Sequence, residues 1–127
     1  MKKLLILTAV FEVLTGFIVR AVPSIALRAL FGVEIVEVDG ISIIMSRIAG
    51  VALVGLGVAC WPSRVGGNSQ QLYGMLTYSI LVALYLIRIG IRGAPVGPLL
   101  WPAVIVHAVL IVLLVVAGVK ARKSSAT

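Results

Sequence analysis

The sequence predicts an all-α integral membrane protein, an antiparallel four-helix bundle with a short interfacial helix between its first and second spans. Three observations predict it. Of 127 residues, 61% are hydrophobic and only 12% charged, with a mean hydropathy of +1.21. A soluble domain is nearer half apolar and a quarter charged, and so short a chain cannot hide the surplus in one core. The apolar residues gather into four runs near the ~20 residues that cross ~30 Å of hydrocarbon. The basic residues, which give a net charge of +7, sit mostly at the ends of those runs.

The first span is Leu4–Val22. Its basic start resembles that of a signal peptide, but Glu12 interrupts the run and no small-x-small cleavage site precedes Pro23, so it reads as a retained helix. "PSIALRALFG" (23–32) follows. Pro23 suits a first helical turn and Gly32 a stop, which predicts an interfacial helix over about 23–31. "VEIVEVDG" (33–40) reads as an extended acidic loop. The second span, Ile41–Trp61, is framed by Asp39-Gly40 and Pro62. The polar stretch "PSRVGGNSQQ" leads to the third, Leu72–Ile89, and "RGAPVGP" to the fourth, Leu99–Val119. Helices are required because lipid offers a bare backbone amide no partner. One domain over residues 1–127 accounts for the chain.

Basic residues near the span ends number six on the side of the termini and four on the other. This asymmetry predicts an inner (cytoplasmic) membrane protein with both termini in the cytoplasm. Trp61 and Tyr73 would then lie at the inner interface and Trp101 at the outer one. The basic ends read as topology signals and lipid-headgroup contacts. The expected partners are therefore the bilayer and a homo-oligomer or larger membrane complex, and nucleic acid is not among them.

The chemistry-bearing residues lie within the spans. Arg47 interrupts the second, roughly 6 Å outward of its middle by helix rise. A charge facing lipid there costs several kcal/mol, so it should either snorkel or find a partner. Glu12, near the middle of the first span, is the expected partner. His107 and Tyr85 lie at similar heights, with Arg88 one turn further out. Glu12 and Arg47 read either as a structural ion pair or as the heart of a ligand pocket. His107 reads as a helix–helix contact or a ligand group, and Tyr78 and Tyr85 as packing residues with satisfied hydroxyls. The candidate ligand-binding set is Glu12, Arg47, Tyr85, Arg88 and His107. The inward faces are expected to be Thr8/Glu12/Thr15, Ser46/Gly50/Gly57 beside Arg47, Gly74/Tyr78/Leu81/Tyr85/Arg88/Arg92, and Ala103/His107/Leu114.

No Gly-x-Ser-x-Gly, Walker loop, His-Glu-x-x-His or Cys-x-x-Cys is present. Cys60 and His107 would stand about 20 Å apart along the membrane normal. The single cysteine forbids an internal disulfide, and a single histidine excludes His-rich metal sites. No catalytic residue, metal or cofactor is assigned.

Two resemblances follow from these residues. Gly16, Pro23, "LFG" (30–32), Arg47-x-x-Gly50 and "SRIAGVALVGLGVACW", in a four-span frame, resemble small bacterial membrane proteins of the DoxX-like group. That resemblance implies an accessory role, some members being linked to quinone or thiol redox complexes. "AVFEVLTG" (9–16) is similar to the first helix of small multidrug-resistance transporters. It implies a glutamate, here Glu12, that exchanges protons for a cationic compound. An arginine sharing that interior would repel a cation, which ranks transport second. The expected function is a non-enzymatic accessory or small-ligand-binding membrane protein with a polar pocket in the outer half of the bundle. The alternatives are a proton-coupled transporter centred on Glu12 and a subunit of a membrane redox complex.

Overall fold

The computed structural model describes residues 1–32, 40–63, 68–92 and 96–125. The acidic stretch 33–39 and Arg64 lie outside the described residues. Five helices run in order: α1 (Lys2–Ala21), α2 (Pro23–Phe31), α3 (Gly40–Ala59), α4 (Ser69–Ile91) and α5 (Leu100–Ser125). All except α2 are long and apolar enough to cross a membrane, and most of each is left uncovered by the rest of the protein. The chain is a multi-pass membrane protein, and its exposed apolar surface is the surface that lipid wets.

Local chemistry fixes the boundaries. Proline disfavours helical geometry in the residue before it, and Val22 leaves the helix at φ −128°, ψ 59°. Pro23 then opens α2 at a position whose missing N–H costs nothing. Gly32 ends α2 at φ 85°, a left-handed conformation that glycine adopts freely, and its N–H bonds Arg28 O at 2.9 Å. Between α3 and α4, buried Asn68 accepts the Ser63 N–H at 2.9 Å through Oδ1. α5 runs six residues past the expected end at Val119, carrying Arg122 and Lys123 in its last turn, where cations complement the helix dipole. The Arg122 guanidinium donates to the Tyr73 hydroxyl, which ties the end of α5 to the start of α4.

α1 and α3 form one close pair and α4 and α5 another, each antiparallel. The first pair meets along glycines. A Cβ on Gly16 would lie 2.6 Å from Gly50 O and 2.9 Å from Val54 N, and one on Gly50 2.6 Å from Gly16 O and 2.9 Å from Arg20 N. A Cβ on Gly57 would lie 2.7 Å from Ala9 O. Backbones this close gain dispersion contacts, which are what hold helices together where lipid removes the hydrophobic drive. The two pairs join through Leu5, Cys60, Leu72, Met75 and Leu114 at the end carrying the termini. At the other end Leu86, Leu100 and Val104 pack together. There α2 docks by backbone: Leu99 N–H bonds Ala29 O at 2.8 Å and Gly97 N–H bonds Leu30 O at 3.1 Å.

The buried stripes are Leu5/Thr8/Ala9/Glu12/Gly16 on α1, Ser46/Gly50/Gly57 on α3 and Leu72/Met75/Ser79/Ala83/Leu86 on α4. On α5 the stripe is Leu100/Val104/His107/Leu110/Leu114. Three of the four expected inward faces correspond to these. The α4 face is corrected. Gly74, Leu81, Tyr85, Arg88 and Arg92 are exposed and Tyr78 is half-buried, and the stripe one residue further along, ~100° around the helix, faces inward. Both stripes repeat at three and four. The inward one carries no charge, whereas turning Arg88 and Arg92 inward would bury two unpaired guanidinia.

The glycine seam sets a clear expectation. Gly50→Ala should destabilise the protein by about 1–3 kcal/mol through overpacking. Gly55→Ala, whose Cβ meets nothing within 4 Å, should be neutral or stabilise by up to about 1 kcal/mol. Denaturant unfolding in micelles reads both. At the opposite end, a Cβ on Gly97 would run into the Ala29 carbonyl. Gly97→Ala should therefore speed hydrogen exchange at the Leu99 amide while leaving the α1–α3 seam protected.

Candidate functional site

Four of the polar side chains buried among the described residues, Thr8, Glu12, Ser79 and His107, lie within α1, α4 and α5, whereas Ser46 lies on α3 and Asn68 just before α4. Glu12 is 1% exposed and Thr8 fully buried, both on the α1 stripe. Thr8 is satisfied by donating to Leu5 O at 3.0 Å. Glu12 is not satisfied: it shares a hydrogen bond with the Tyr78 hydroxyl of α4, but its Oε1 is buried without a partner. Tyr78 continues the cluster to α5, its ring centroid 6.0 Å from that of His107 at an interplanar angle of 59°. His107 is 8% exposed.

The histidine's proton can be assigned. Nδ1 lies 2.8 Å from Ala103 O, and a carbonyl only accepts, so Nδ1 carries the hydrogen and donates. In the neutral ring Nε2 is then a bare acceptor, and it too is buried without a partner. So is the hydroxyl of fully buried Ser79. The interior therefore presents a carboxyl oxygen and an imidazole nitrogen in want of donors, with the Tyr78 hydroxyl committed between them. Few such groups survive unsatisfied in a folded protein, and where they do they call for an explanation.

Beside this cluster runs an apolar groove of about 340 Å³ between α1, α2 and α5, lined among others by Phe11, Thr15, Ala26, Pro102, Ala103 and Val106. Thr15 stands on the Glu12 side of α1, and Ala103 is the residue whose carbonyl holds His107. Glu12 and His107 do not line the groove themselves; Thr15 and Ala103, each one turn away along its helix, do.

The structure brings Glu12 and His107 into one cluster, with Tyr78 as the bridge. It does not bring Arg47, Tyr85 or Arg88 there: Tyr85 is 64% exposed, and Arg47 and Arg88 are exposed as well. The expected Glu12–Arg47 ion pair does not form, and the register of the glycine seam is the reason. Gly16 faces the turn between Gly50 and Val54, Gly50 the turn between Gly16 and Arg20, and Gly57 the turn between Ala9 and Val13. Glu12 is then level with Leu56 and Arg47 with Ala21, a difference of nine residues or about 14 Å along the axis. Arg47 instead lines an exposed groove together with Arg20. Tyr78, whose hydroxyl meets Glu12, reads from the sequence as a packing residue, and Ser79 is not singled out there, since neither carries a charge to mark it. Among the described residues no His, Cys, Asp and Glu cluster could hold a metal ion.

No family model, curated protein or solved structure matches this chain.

The geometry sets the outcome of two double-mutant cycles. Glu12→Ala and Arg47→Ala should be additive within about 0.5 kcal/mol, as for residues beyond contact. Glu12→Gln and Tyr78→Phe share a hydrogen bond and should couple by roughly 0.5–3 kcal/mol. Unfolding of the singles and doubles in micelles measures both energies.

Proposed function

We propose that this chain is an inner-membrane protein, with both termini in the cytoplasm, that binds a small amphipathic hydrogen-bond donor, a protonated amine in the simplest case. The head of the ligand sits at Glu12 and His107 and its apolar body in the groove alongside. The observation that carries the reading is the pair of buried, unpartnered acceptors, Glu12 Oε1 and His107 Nε2, joined through Tyr78. A carboxylate at this depth needs its charge matched by a proton or a cation. No arginine or lysine among the described residues supplies it. An ammonium head satisfies both acceptors with its own donors, and a neutral head can do so only if Glu12 carries a proton. The excess of Lys and Arg on the side of the termini supports the orientation. The DoxX-like pattern agrees with a non-enzymatic binding role.

The second reading is proton-coupled exchange of the same class of compound at Glu12. It gains from the same geometry. The objection to it was an arginine in the interior, and Arg47 stands about 14 Å away along the axis on an exposed surface. The two readings share a site and differ in whether ligand and proton compete for Glu12.

Calorimetric titration of the micellar protein with alkylammonium ions from ethyl to octyl tests the site. Affinity should rise with chain length by about 0.8 kcal/mol per buried CH₂ until the groove is filled. Glu12→Gln should lose more than about tenfold, the usual scale for removing a charged hydrogen-bond partner. Unchanged binding in Glu12→Gln would sink the proposal. Release of one proton per octylammonium bound, read by a pH dye in weak buffer, selects the exchange reading.

A further inference from the structure

Arg20 and Arg47 occupy one exposed groove, and this site is independent of Glu12. Arg20 sits in the last turn of α1. Gly50 packs directly against its backbone, 2.9 Å from Arg20 N by the position a Cβ would take. The seam puts Arg47 level with Ala21, so the two arginines stand within about one residue of the same height on adjacent helices. Together with Ile44, Ile48, Val51 and Ala52 they line an open groove of about 460 Å³. Ile48, Val51 and Ala52 continue from Arg47 toward the middle of α3, which is the direction of the hydrocarbon. Among the described residues no carboxylate faces these guanidinia, since Glu12 is eight residues deeper than Arg20 and nine deeper than Arg47, and shares its hydrogen bond with Tyr78.

Two like charges held at one height on a low-dielectric surface repel unless an anion lies between them. Guanidinia present forked donors that match phosphate oxygens. The anion must also suit an apolar floor that leads away from the charges along the helix. We propose that this groove binds the phosphodiester of an anionic phospholipid between Arg20 and Arg47, with one acyl chain laid along Ile48, Val51 and Ala52. A zwitterionic lipid brings its own cation to two cations and is disfavoured. A free phosphate lacks the chain and leaves the floor uncovered.

Equilibrium binding to the full-length protein in a neutral detergent tests this, with dioleoylphosphatidylglycerol, dioleoylphosphatidylcholine and glycerol phosphate as probes and native mass spectrometry as readout. Phosphatidylglycerol should bind best. Each single variant, R20Q or R47Q, should weaken it by about fivefold and R20Q/R47Q by about thirtyfold, at roughly 1 kcal/mol per basic residue. R20K/R47K, which keeps the charge, should retain the preference over phosphatidylcholine, and K120Q/R122Q, at the opposite end, should bind like wild type. Both arginines are exposed, so each single variant carries the test if the double variant does not fold. The proposal is overturned if R47Q binds phosphatidylglycerol like wild type, if phosphatidylcholine binds equally well, or if glycerol phosphate matches the lipid.

Discussion

The constraint from which the rest follows is the backbone contact of α1 with α3. Gly16, Gly50 and Gly57 remove the side chains that would hold two helices apart, and a Cβ at any of them would come within 3 Å of the opposing backbone. In water such a contact would be one term among many. In lipid, where tails are as apolar as leucine, close packing is the main source of helix association. The contact also fixes the axial register of the pair, because each glycine fits one turn of the other helix and no other. Every height in this half of the molecule then follows: Glu12 beside Leu56 in the interior, Arg47 beside the end of α1, and Arg20 beside Arg47.

That register explains what the sequence could and could not disclose. The four spans, the helix opened by Pro23 and closed by Gly32, and the inward direction of Glu12 and His107 were all readable. Each depends on chemistry local to one segment: a length, a cap, or a polar group that must avoid lipid. The partnership of Glu12 with Arg47 was not readable. Aligned span midpoints bring the two near one height, but midpoints do not decide how far antiparallel helices slide. The α4 face failed for a related reason. In a soluble helix one face is apolar and the pattern names it, but here Leu81, Leu84 and Leu86 are equally apolar on different sides. Only the placement of Arg88 and Arg92 discriminates between the stripes.

The charges of the protein are sorted by depth. Lys2, Lys3, Lys120, Arg122 and Lys123 sit at the end carrying the termini, and Arg20, Arg28 and Arg47 gather toward the end where α2 docks. The carboxyl of Glu12 lies between these two layers. Such an order lets each cation reach headgroups or water without crossing the hydrocarbon. It also leaves two acceptors, Glu12 Oε1 and His107 Nε2, without a partner in the interior, beside the Ser79 hydroxyl, which can donate or accept. Tyr78 supplies one hydroxyl, and the Nδ1 hydrogen of His107 is held by its own helix at Ala103.

Under the proposed binding role, an interior built this way would select its ligand by subtraction. A ligand that only accepts hydrogen bonds would add to the unsatisfied acceptors and meet a penalty of about 1–3 kcal/mol for each. A ligand that donates removes them. An arginine at that height would satisfy Glu12 permanently, whereas the glycine register carries Arg47 away and leaves Glu12 Oε1 without a partner. The seam that holds α1 to α3 and the chemistry available at Glu12 are therefore consequences of one geometric fact, the distance to which two bare backbones approach.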